Sequence, residues 1–180
     1  FMGVGKTSTS RILSKKLGVK ENDTDAMIVK QEKKSIAEIF ADTPVTLHLS
    51  DDILLDIWDK FGLNVSRNLP QAILGVGIGA YDDSTYADAI MRQMRHEVVL
   101  VANAKGIPLK EEFKAGKWLP SQRYSTLQDL DAHRHTEIDM FSGALVRMGK
   151  ELGIACPYNE MTYNLIKALE EKNDGKFDYE

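Results

Sequence analysis

SDDILLDIWDKFGLN, at residues 50–64, carries a strong helix signal. Ser50 is a favourable N-cap, and the two aspartates after it lie where the positive end of the helix dipole stabilises negative charge. Apolar residues then recur at the spacing of one helix face, at Ile53, Leu54, Ile57, Trp58 and Phe61. The segment therefore predicts an amphipathic helix that packs its apolar face against other elements.

Helical spacing of apolar residues continues toward the C terminus. Pro70 is expected to kink or restart the first helix, because proline cannot donate a backbone hydrogen bond. The run AILGVGIGA after Pro70 is rich in small residues, which would let neighbouring helices approach closely. The further predicted segments are Asp83–Lys105, a block from about Thr136 to Leu152, and a last helix from Tyr158. Residues 45–180 are thus predicted to form an all-helical domain, and the fold class is mainly α.

The front of the chain, FMGVGKTSTSRILSKKL, carries different chemistry. It contains the second half of the phosphate-binding pattern G-x-x-x-x-G-K-[ST]. The first glycine of that pattern would fall one residue before Phe1. Such a loop holds phosphates with backbone amides, a lysine that neutralises charge and a hydroxyl that helps hold magnesium. The candidate nucleotide-binding residues are therefore Gly3, Gly5, Lys6 and Thr7. A helix over residues 6–17 is predicted to follow the loop.

Three segments extend this match, namely MGVGKTSTSRILSKKLG, then DTD, then SIAEIFA. Together they closely resemble the opening of shikimate kinase. That resemblance implies a place near magnesium for Asp23 and contact with substrate hydroxyls for Asp25. The strands of the parallel sheet have no counterpart here, so residues 1–44 are interpreted as a truncated, helical P-loop-like fragment. ATP and magnesium are not expected to bind it.

Composition and charge exclude several classes of protein. Hydrophobic residues make up 43% of the 180 residues and charged residues 28%, which is typical of a globular protein. The net charge of -4 argues against a nucleic-acid partner. No apolar run approaches the roughly 20 residues of a membrane span, so no membrane partner is expected. Cys156 is the only cysteine, which excludes an intramolecular disulfide and favours a reducing cytoplasm.

Two polar patterns in the long part of the chain could carry chemistry. Lys60, Asn64 and Asn68 are four residues apart, so a continuous helix would place them along one face. On spacing alone, a solvated polar face is the favoured interpretation of this stripe. His133 and His135 have the spacing of metal ligands, but no third ligand supports them, and no metal site is predicted.

Four motifs in order make a second resemblance specific. They are W-x-K-x-x-x-N-x-x-x-N at 58–68, S-x-L-Q-D at 125–129, R-H-T-E-I-D at 134–139 and G-I-x-x-P at 153–157. This arrangement resembles the C-terminal domain of ketopantoate reductase (2-dehydropantoate 2-reductase) over about residues 45 to 172. The family's activity, an NADPH-dependent reduction of a 2-keto acid in pantothenate biosynthesis, is what the resemblance implies.

The resemblance also implies roles for particular residues. Lys60 matches the family's general acid, which polarises the keto group and protonates the oxygen after hydride transfer. Asn64 and Asn68 match residues that hydrogen-bond the substrate's hydroxyl and carboxylate, and Ser125 matches a substrate-binding serine. Glu137 matches an acidic catalytic residue near the lysine and the cofactor.

One departure limits what the chain is expected to do by itself. The family binds NADPH in an N-terminal Rossmann domain, whose G-x-G-x-x-G turn follows a strand. Here Gly75, Gly77 and Gly79 follow Pro70 in an apolar run instead. We therefore expect no activity unless a Rossmann domain is supplied. Two alternatives stay open, namely a shikimate-kinase-like phosphotransferase remnant and a helical module that forms a homodimer through AILGVGIGA.

Overall fold

The computed structural model describes residues 6–41, 43–45, 49–114 and 116–179. Contacts divide the chain into two compact units, Phe1–Ser50 and Asp51–Glu180. All regular elements in the described residues are helical, and no strand occurs among them. The predicted mainly α class is confirmed.

The first unit contains three short helices. They are α1 (Lys6–Leu17), α2 (Thr24–Glu32) and α3 (Ile36–Ala41). The Asp23 carboxylate accepts from the backbone amides of Asp25 at 2.9 Å and Ala26 at 3.1 Å, which caps α2. The Ser35 hydroxyl accepts from the Glu38 amide at 3.2 Å, and the Glu38 carboxylate accepts from the Ser35 amide at 2.7 Å. This is the capping box that fixes the start of α3.

The second unit holds the remaining helices of the described residues. They are α4 (Ile53–Leu63), a π-helical segment (Asn64–Asn68), α5 (Leu69–Leu74), α6 (Ala80–Asp83), α7 (Thr85–Ala104), α8 (Ser125–Asp131), a 3₁₀ segment (Ile138–Met140), α9 (Ser142–Leu152) and α10 (Pro157–Asn173). None of the helices in the described part of the chain is both long and apolar enough to cross a membrane.

The central helix of this unit is α7. It packs against α4, the π segment, α9 and α10. Met94, Val98 and Val101 on its inner face are fully buried, and they share one hydrophobic cluster with Leu145 of α9 and Ile166 of α10. The amphipathic pattern predicted for this helix is confirmed at these positions, whereas Ile90, which helical spacing also places on the inner face, is 37% exposed. Burial of such side chains is the main stabilising term for a helical domain of this size.

α4, the π segment and α5 form one continuous rod, and the π segment ends just before Pro70. Pro70 cannot donate to the carbonyl four residues earlier, and its ring would collide with that carbonyl in a regular helix. Widening the backbone before it relieves both problems. The Tyr81 hydroxyl donates to the Arg67 carbonyl at 2.5 Å, and the Ser66 hydroxyl donates to the Gly62 carbonyl at 2.6 Å. The kink or restart predicted at Pro70 therefore takes the form of a widened turn just before it, within a helix that continues through the proline.

Two predicted helix boundaries are wrong. The residue that caps α4 is Asp52, whose carboxylate accepts from the Leu55 amide at 3.1 Å, and Ser50 lies outside the helix. The block predicted from Thr136 to Leu152 is interrupted at Phe141, where φ is -100° and ψ is -103°. A regular helix therefore begins only after that residue, and the preceding turn is 3₁₀.

The apolar face predicted for α4 is only partly buried. Trp58 and Phe61 pack against the core cluster, with their ring centroids 5.5 Å apart in an edge-to-face arrangement. Ile53, Leu54 and Ile57 are exposed instead. Helical periodicity identified the apolar stripe, but it could not say how far along the helix a partner extends.

AILGVGIGA does not form one helix, because only its first three residues belong to α5. Gly75 ends α5 in the left-handed conformation, with φ of 68°. A β-carbon on Gly77 would lie 2.3 Å from the Pro120 carbonyl oxygen, and one on Gly79 would lie 2.8 Å from the Pro120 ring. The small residues therefore admit a loop, and the prediction of an apolar helix for dimerisation here is wrong.

A buried polar network ties α7, α9 and α10 together. The Glu97 carboxylate of α7 accepts from the backbone amides of Tyr158 at 2.8 Å and Asn159 at 2.9 Å, at the start of α10. It also accepts from the Asn159 side chain at 2.6 Å, whose oxygen accepts from the Ser142 hydroxyl at 2.8 Å. A carboxylate at a helix N-terminus satisfies free amides and complements the helix dipole.

Candidate active site

The stripe of Lys60, Asn64 and Asn68 runs along the rod from its exposed side into the interior. Lys60 lies in the last turn of α4 and is exposed, Asn64 opens the π segment and is half-buried, and Asn68 closes it at 2% exposure. The π turn rotates Asn68 away from a simple four-residue spacing. The three side chains therefore lie at increasing depth, which a solvated polar face would not show.

Asn68 meets Ser125 across 57 residues of sequence. Its amide nitrogen lies 3.4 Å from the Ser125 hydroxyl, and its oxygen accepts from the Thr126 backbone amide at 3.3 Å. The neighbouring Gln71 accepts from the Tyr124 amide at 2.7 Å. These contacts fix the start of α8 against the rod, so two residues predicted to bind substrate lie side by side.

Lys60 lines an open hollow of about 300 Å³, here called the Lys60 hollow. Its other lining residues are Asp56, Asp59, Leu63, Phe113, Lys114, Gly116 and Trp118. The Lys114 ammonium lies 2.5 Å from the Asp56 carboxylate and 3.8 Å from that of Asp59. Hydrogen bonding to Asp56 raises the pKa of Lys114. The hollow thus combines apolar rings with a mixed set of charges, as small-molecule sites commonly do.

Arg95 of α7 anchors the loop that forms one wall of this hollow. Its guanidinium is 1% exposed, pairs with the Asp59 carboxylate at 2.8 Å, and donates to the Lys110 carbonyl at 2.8 Å. It occupies the space beside Gly62, where a β-carbon would lie 2.1 Å from the guanidinium. The glycine therefore allows the arginine to cross α4 and hold the loop in place.

Arg67 and Tyr124 carry the unsatisfied polar atoms of the region. The Arg67 guanidinium carbon lies 4.3 Å from the Phe113 ring centroid and 5.5 Å from that of Trp118. Among the described residues, Arg67 Nε and Tyr124 Oη are buried without a hydrogen bond of ordinary geometry, although the two side chains lie close enough to interact with each other. Burial raises the pKa of the Tyr124 phenol, and the Arg67 charge and a hydrogen bond with Arg67 oppose that rise. Sequence reasoning missed both residues, since no local pattern joins positions so far apart.

Glu137, the second predicted catalytic residue, does not lie on the rod that carries Lys60. It is exposed and immediately precedes the 3₁₀ segment, where its carbonyl accepts from the amides of Met140 and Phe141. Its neighbour Thr136 donates its amide and hydroxyl to the buried Glu170 carboxylate, both at 2.7 Å. These bonds hold the segment that carries Glu137, and the role of Glu137 stays a prediction.

Of the two histidines in the same segment, His135 contacts carboxylates of the protein. His135 lies 3.0 Å from the Asp174 carboxylate and 3.7 Å from that of Glu170. No group of three or more His, Cys, Asp or Glu side chains within the described residues is arranged to hold a metal ion. Cys156 is buried, and burial together with Glu97 raises the pKa of its thiol to about 11.

The structure describes only part of the candidate nucleotide-binding segment at the start of the sequence. Gly3 and Gly5 lie outside the described residues, and so do the side chains of Lys6 and Thr7. Asp23, which the kinase resemblance places near magnesium, is engaged as the cap of α2.

Comparisons with known proteins match both parts of the chain. The family described as "Ketopantoate reductase PanE/ApbA C terminal" matches residues 52–170, and the family described as "Shikimate kinase" matches residues 2–44. The 2-dehydropantoate 2-reductase of Pyrobaculum aerophilum is 33% identical over 141 residues, which cover 76% of this chain and 50% of the relative. The chain therefore spans about half the length of that curated relative.

Solved structures give the same result. The PanE/ApbA family ketopantoate reductase from Ralstonia eutropha JMP134 has a TM-score of 0.68 and 30% identity, over 77% of this chain and 48% of that one. D-mandelate dehydrogenase, in a ternary structure with NADH and anilino(oxo)acetate, has a TM-score of 0.70 and 27% identity, over 81% of this chain and 64% of that one. Because the family match covers residues 52–170, the chain belongs to the ketopantoate reductase PanE/ApbA C-terminal family.

Proposed function

We propose that residues 45–180 are the substrate-binding and catalytic half of an NAD(P)H-dependent reductase, and that residues 1–44 are a separate kinase-like fragment. The substrate is a small 2-keto acid, and 2-dehydropantoate is the first candidate. The observation that carries the proposal is the contact between Asn68 and Ser125, which brings two distant polar residues together on the rod that also bears Lys60. Membership of the family supports the reaction class.

Lys60 is the general acid of this proposal. Its ammonium group can donate a hydrogen bond to the keto oxygen, polarise the carbonyl and deliver the proton that the product hydroxyl needs. Asn64 lies one turn further along the rod and offers an amide to the substrate's hydroxyl. Ser125 contributes its hydroxyl beside Asn68. Glu137 is proposed to keep the lysine and its surroundings in order.

The described residues of this chain do not form a dinucleotide site of the glycine-turn kind. Gly77 and Gly79 are packed against Pro120, so neither leaves space for a pyrophosphate. We propose that NADPH is held by a Rossmann domain outside these 180 residues. The related D-mandelate dehydrogenase binds NADH, which supports a nicotinamide cofactor for the whole enzyme. A homodimer stays a prediction.

A fusion protein tests this assignment. The N-terminal half of the Pyrobaculum aerophilum relative is joined to residues 51–180, and NADPH consumption is followed with 2-dehydropantoate. We expect turnover in the fusion and a loss of about 10²–10⁴-fold in kcat for Lys60→Ala, the usual contribution of a general acid. Lys172→Ala, an exposed lysine of α10, is the matched control and should leave the rate unchanged.

Two results would contradict the proposal. Equal rates for the Lys60→Ala and Lys172→Ala fusions would remove Lys60 from the chemistry. NADPH-dependent turnover by the unfused chain would show that it holds a cofactor site of its own.

A further inference from the structure

The side of α4 that carries Lys60 also carries two exposed isoleucines. Ile53, Ile57 and Lys60 follow one another at intervals of four and three residues, so they lie along one side of the helix. Ile53 is 61% exposed and Ile57 is 42% exposed. Trp58 and Phe61 of the same helix instead pack against the core cluster. The helix therefore has two apolar sides, of which the core covers only one.

The two isoleucines lie within about two helical turns of the proposed general acid. At about 1.5 Å of rise per residue, Ile57 is about 4.5 Å from Lys60 along the helix axis, and Ile53 is about 10 Å from it. Hydride transfer requires the donor carbon to approach the keto carbon to about 3–3.5 Å. A domain that brings a nicotinamide to a keto group held by Lys60 approaches this side of α4, and the isoleucines are the next residues that it would cover.

The part of the related reductases that has no counterpart here would supply such a domain. Residues 52–170 match the C-terminal portion of the family, and the matched segment is 50% of the Pyrobaculum aerophilum relative. Because this portion is the C-terminal one, the rest of the family's chain precedes the segment that begins at α4. Ile53 is the first residue of α4, so the isoleucines also lie beside the point where that preceding half would join.

We propose that Ile53 and Ile57 form the surface on which the domain that binds the nicotinamide cofactor docks, through an apolar patch of that domain. This inference rests on the function proposed above. Apolar side chains are typical of the centre of an interface, and small-molecule sites occur preferentially between domains. The Lys60 hollow is open and is lined by α4 and by the loop before α8. Docking on the isoleucines beside it would shield the reacting groups from water.

A second exposed pair shows that exposure alone does not select this surface. Met161 and Leu165 of α10 are four residues apart, and they are 62% and 39% exposed. Neither belongs to the described residues that line the Lys60 hollow. The pair therefore matches Ile53 and Ile57 in chemistry, spacing and exposure but not in position, which makes it the control.

Cysteine labelling tests the surface without requiring activity. Cys156 is buried, and the pKa of its thiol is raised to about 11, so an introduced exposed cysteine reacts far faster. Ile57→Cys and Leu165→Cys are alkylated with iodoacetamide in the full 180-residue chain and in the fusion described above, and mass spectrometry of peptides identifies the labelled site. We expect labelling at position 57 to be at least about tenfold slower in the fusion, since a surface docked nine-tenths of the time is accessible for only one-tenth. Labelling at position 165 should be equal in both.

The outcomes separate this inference from the function on which it rests. Equal rates at position 57 in the chain and in the fusion would overturn the docking surface, whether or not the fusion consumes NADPH. Slower labelling at both positions in the fusion would overturn the assignment to this side of α4. Labelling at position 57 that slows as the concentration of the unfused chain rises would make a second copy the occupant and overturn the proposed partner. Slowed labelling at position 57 alone, in a fusion without turnover, would support the surface and overturn the proposed reaction.

A double serine variant then shows whether docking serves the reaction. Because Ile53 and Ile57 are exposed in the chain, Ile53→Ser combined with Ile57→Ser should leave the melting temperature of the unfused chain almost unchanged. In the fusion we expect kcat/KM for 2-dehydropantoate to fall at least about tenfold, as for residues at the centre of an interface. The dissociation constant for NADPH, which the other domain binds, should stay the same. Met161→Ser combined with Leu165→Ser should retain the rate, and an equal rate in the isoleucine variant would overturn the proposal.

Discussion

The helices of the first unit and those of the second begin with the same kinds of cap. Asp23 caps α2 through its carboxylate, and Asp52 caps α4 in the same way. The units differ in what the helices bury. Ile12 and Leu17 of α1 are 57% and 68% exposed, whereas Val98 of α7 is fully buried. Caps and apolar stripes are present in both units, but among the described residues only those of the second unit bury their apolar side chains in a core.

This contrast separates two levels of information in a sequence. An N-cap sets where a helix begins and is worth about 0.5–2 kcal/mol. Burying one large apolar side chain is worth about 1.5–3 kcal/mol, and it requires a partner surface. Residues 2–44 match shikimate kinase as a sequence, yet no described side chain of the first unit is buried. A sequence match over a short fragment can therefore carry helix signals without a packed core.

A matched pair of leucine substitutions should show the largest effect of this difference. Leu145→Ala in α9 removes a fully buried side chain and leaves a cavity, so we expect a loss of about 2–5 kcal/mol in the free energy of unfolding. Leu17→Ala in α1 removes an exposed side chain and should change the free energy of unfolding by less than about 0.5 kcal/mol. Urea denaturation of both variants measures this. Equal losses would mean that α1 contributes to the same core.

The two capping carboxylates give a smaller contrast. Glu97→Ala leaves the amides at the start of α10 without an acceptor in a buried place, and we expect a loss of about 1–3 kcal/mol in the free energy of unfolding. Asp23→Ala should lower the helix content seen by far-UV circular dichroism and leave the main thermal transition in place. A shift of that transition in Asp23→Ala would mean that the cap of α2 also affects unfolding of the second unit.

The fold of the second unit could be predicted because its signals are local. The stripe of Met94, Val98 and Val101 follows from helical spacing, and an irregularity of the helix near Pro70 follows from the chemistry of proline. The start of α4 was predicted too early, at Ser50, because serine and aspartate are both good caps and local sequence does not choose between them.

The arrangement of the candidate site could not be predicted from spacing. The contact between Asn68 and Ser125 spans 57 residues, and only a resemblance to a known family suggested that the two belong together. The stacking of Arg67 on Phe113 and its proximity to Tyr124 could not be predicted, because both partners come from a segment with no periodic pattern. Contacts between residues so far apart in sequence depend on how the rod and the loop pack, and local sequence patterns do not determine that packing.

Two glutamates with lowered pKa values give the finest comparison. Burial would raise the pKa of Glu170, but hydrogen bonds from Lys167 and from Thr136 outweigh it, so the pKa lies below its ordinary value. The hydrogen bonds from the Ser35 amide and hydroxyl lower the pKa of Glu38. Glu170 is 2% exposed in the second unit, whereas Glu38 lies on the surface of the first.

The sign of the pH effect follows from the direction of these shifts. A carboxylate whose pKa is lowered on folding stabilises the native state fully above its unfolded pKa, and that stabilisation is lost as the pH falls through the folded pKa. Glu170→Gln should therefore be less stable than the unaltered chain at pH 7, and the two should converge as the pH falls below the ordinary glutamate pKa of 4.5. Glu38→Gln, the matched control, should follow the unaltered chain throughout, because Glu38 is exposed and α3 has no buried side chain.

Urea denaturation at a series of pH values measures both curves. If the gap between Glu170→Gln and the unaltered chain stays constant down to about pH 3, the Glu170 carboxylate is not the group that titrates, and its bonds to Thr136 and Lys167 do not control the acid stability. If Glu38→Gln also shows a gap that closes with acid, a cap in the first unit is coupled to unfolding of the second. The effect of a local cap on stability would then extend beyond its own helix, although that helix buries no side chain.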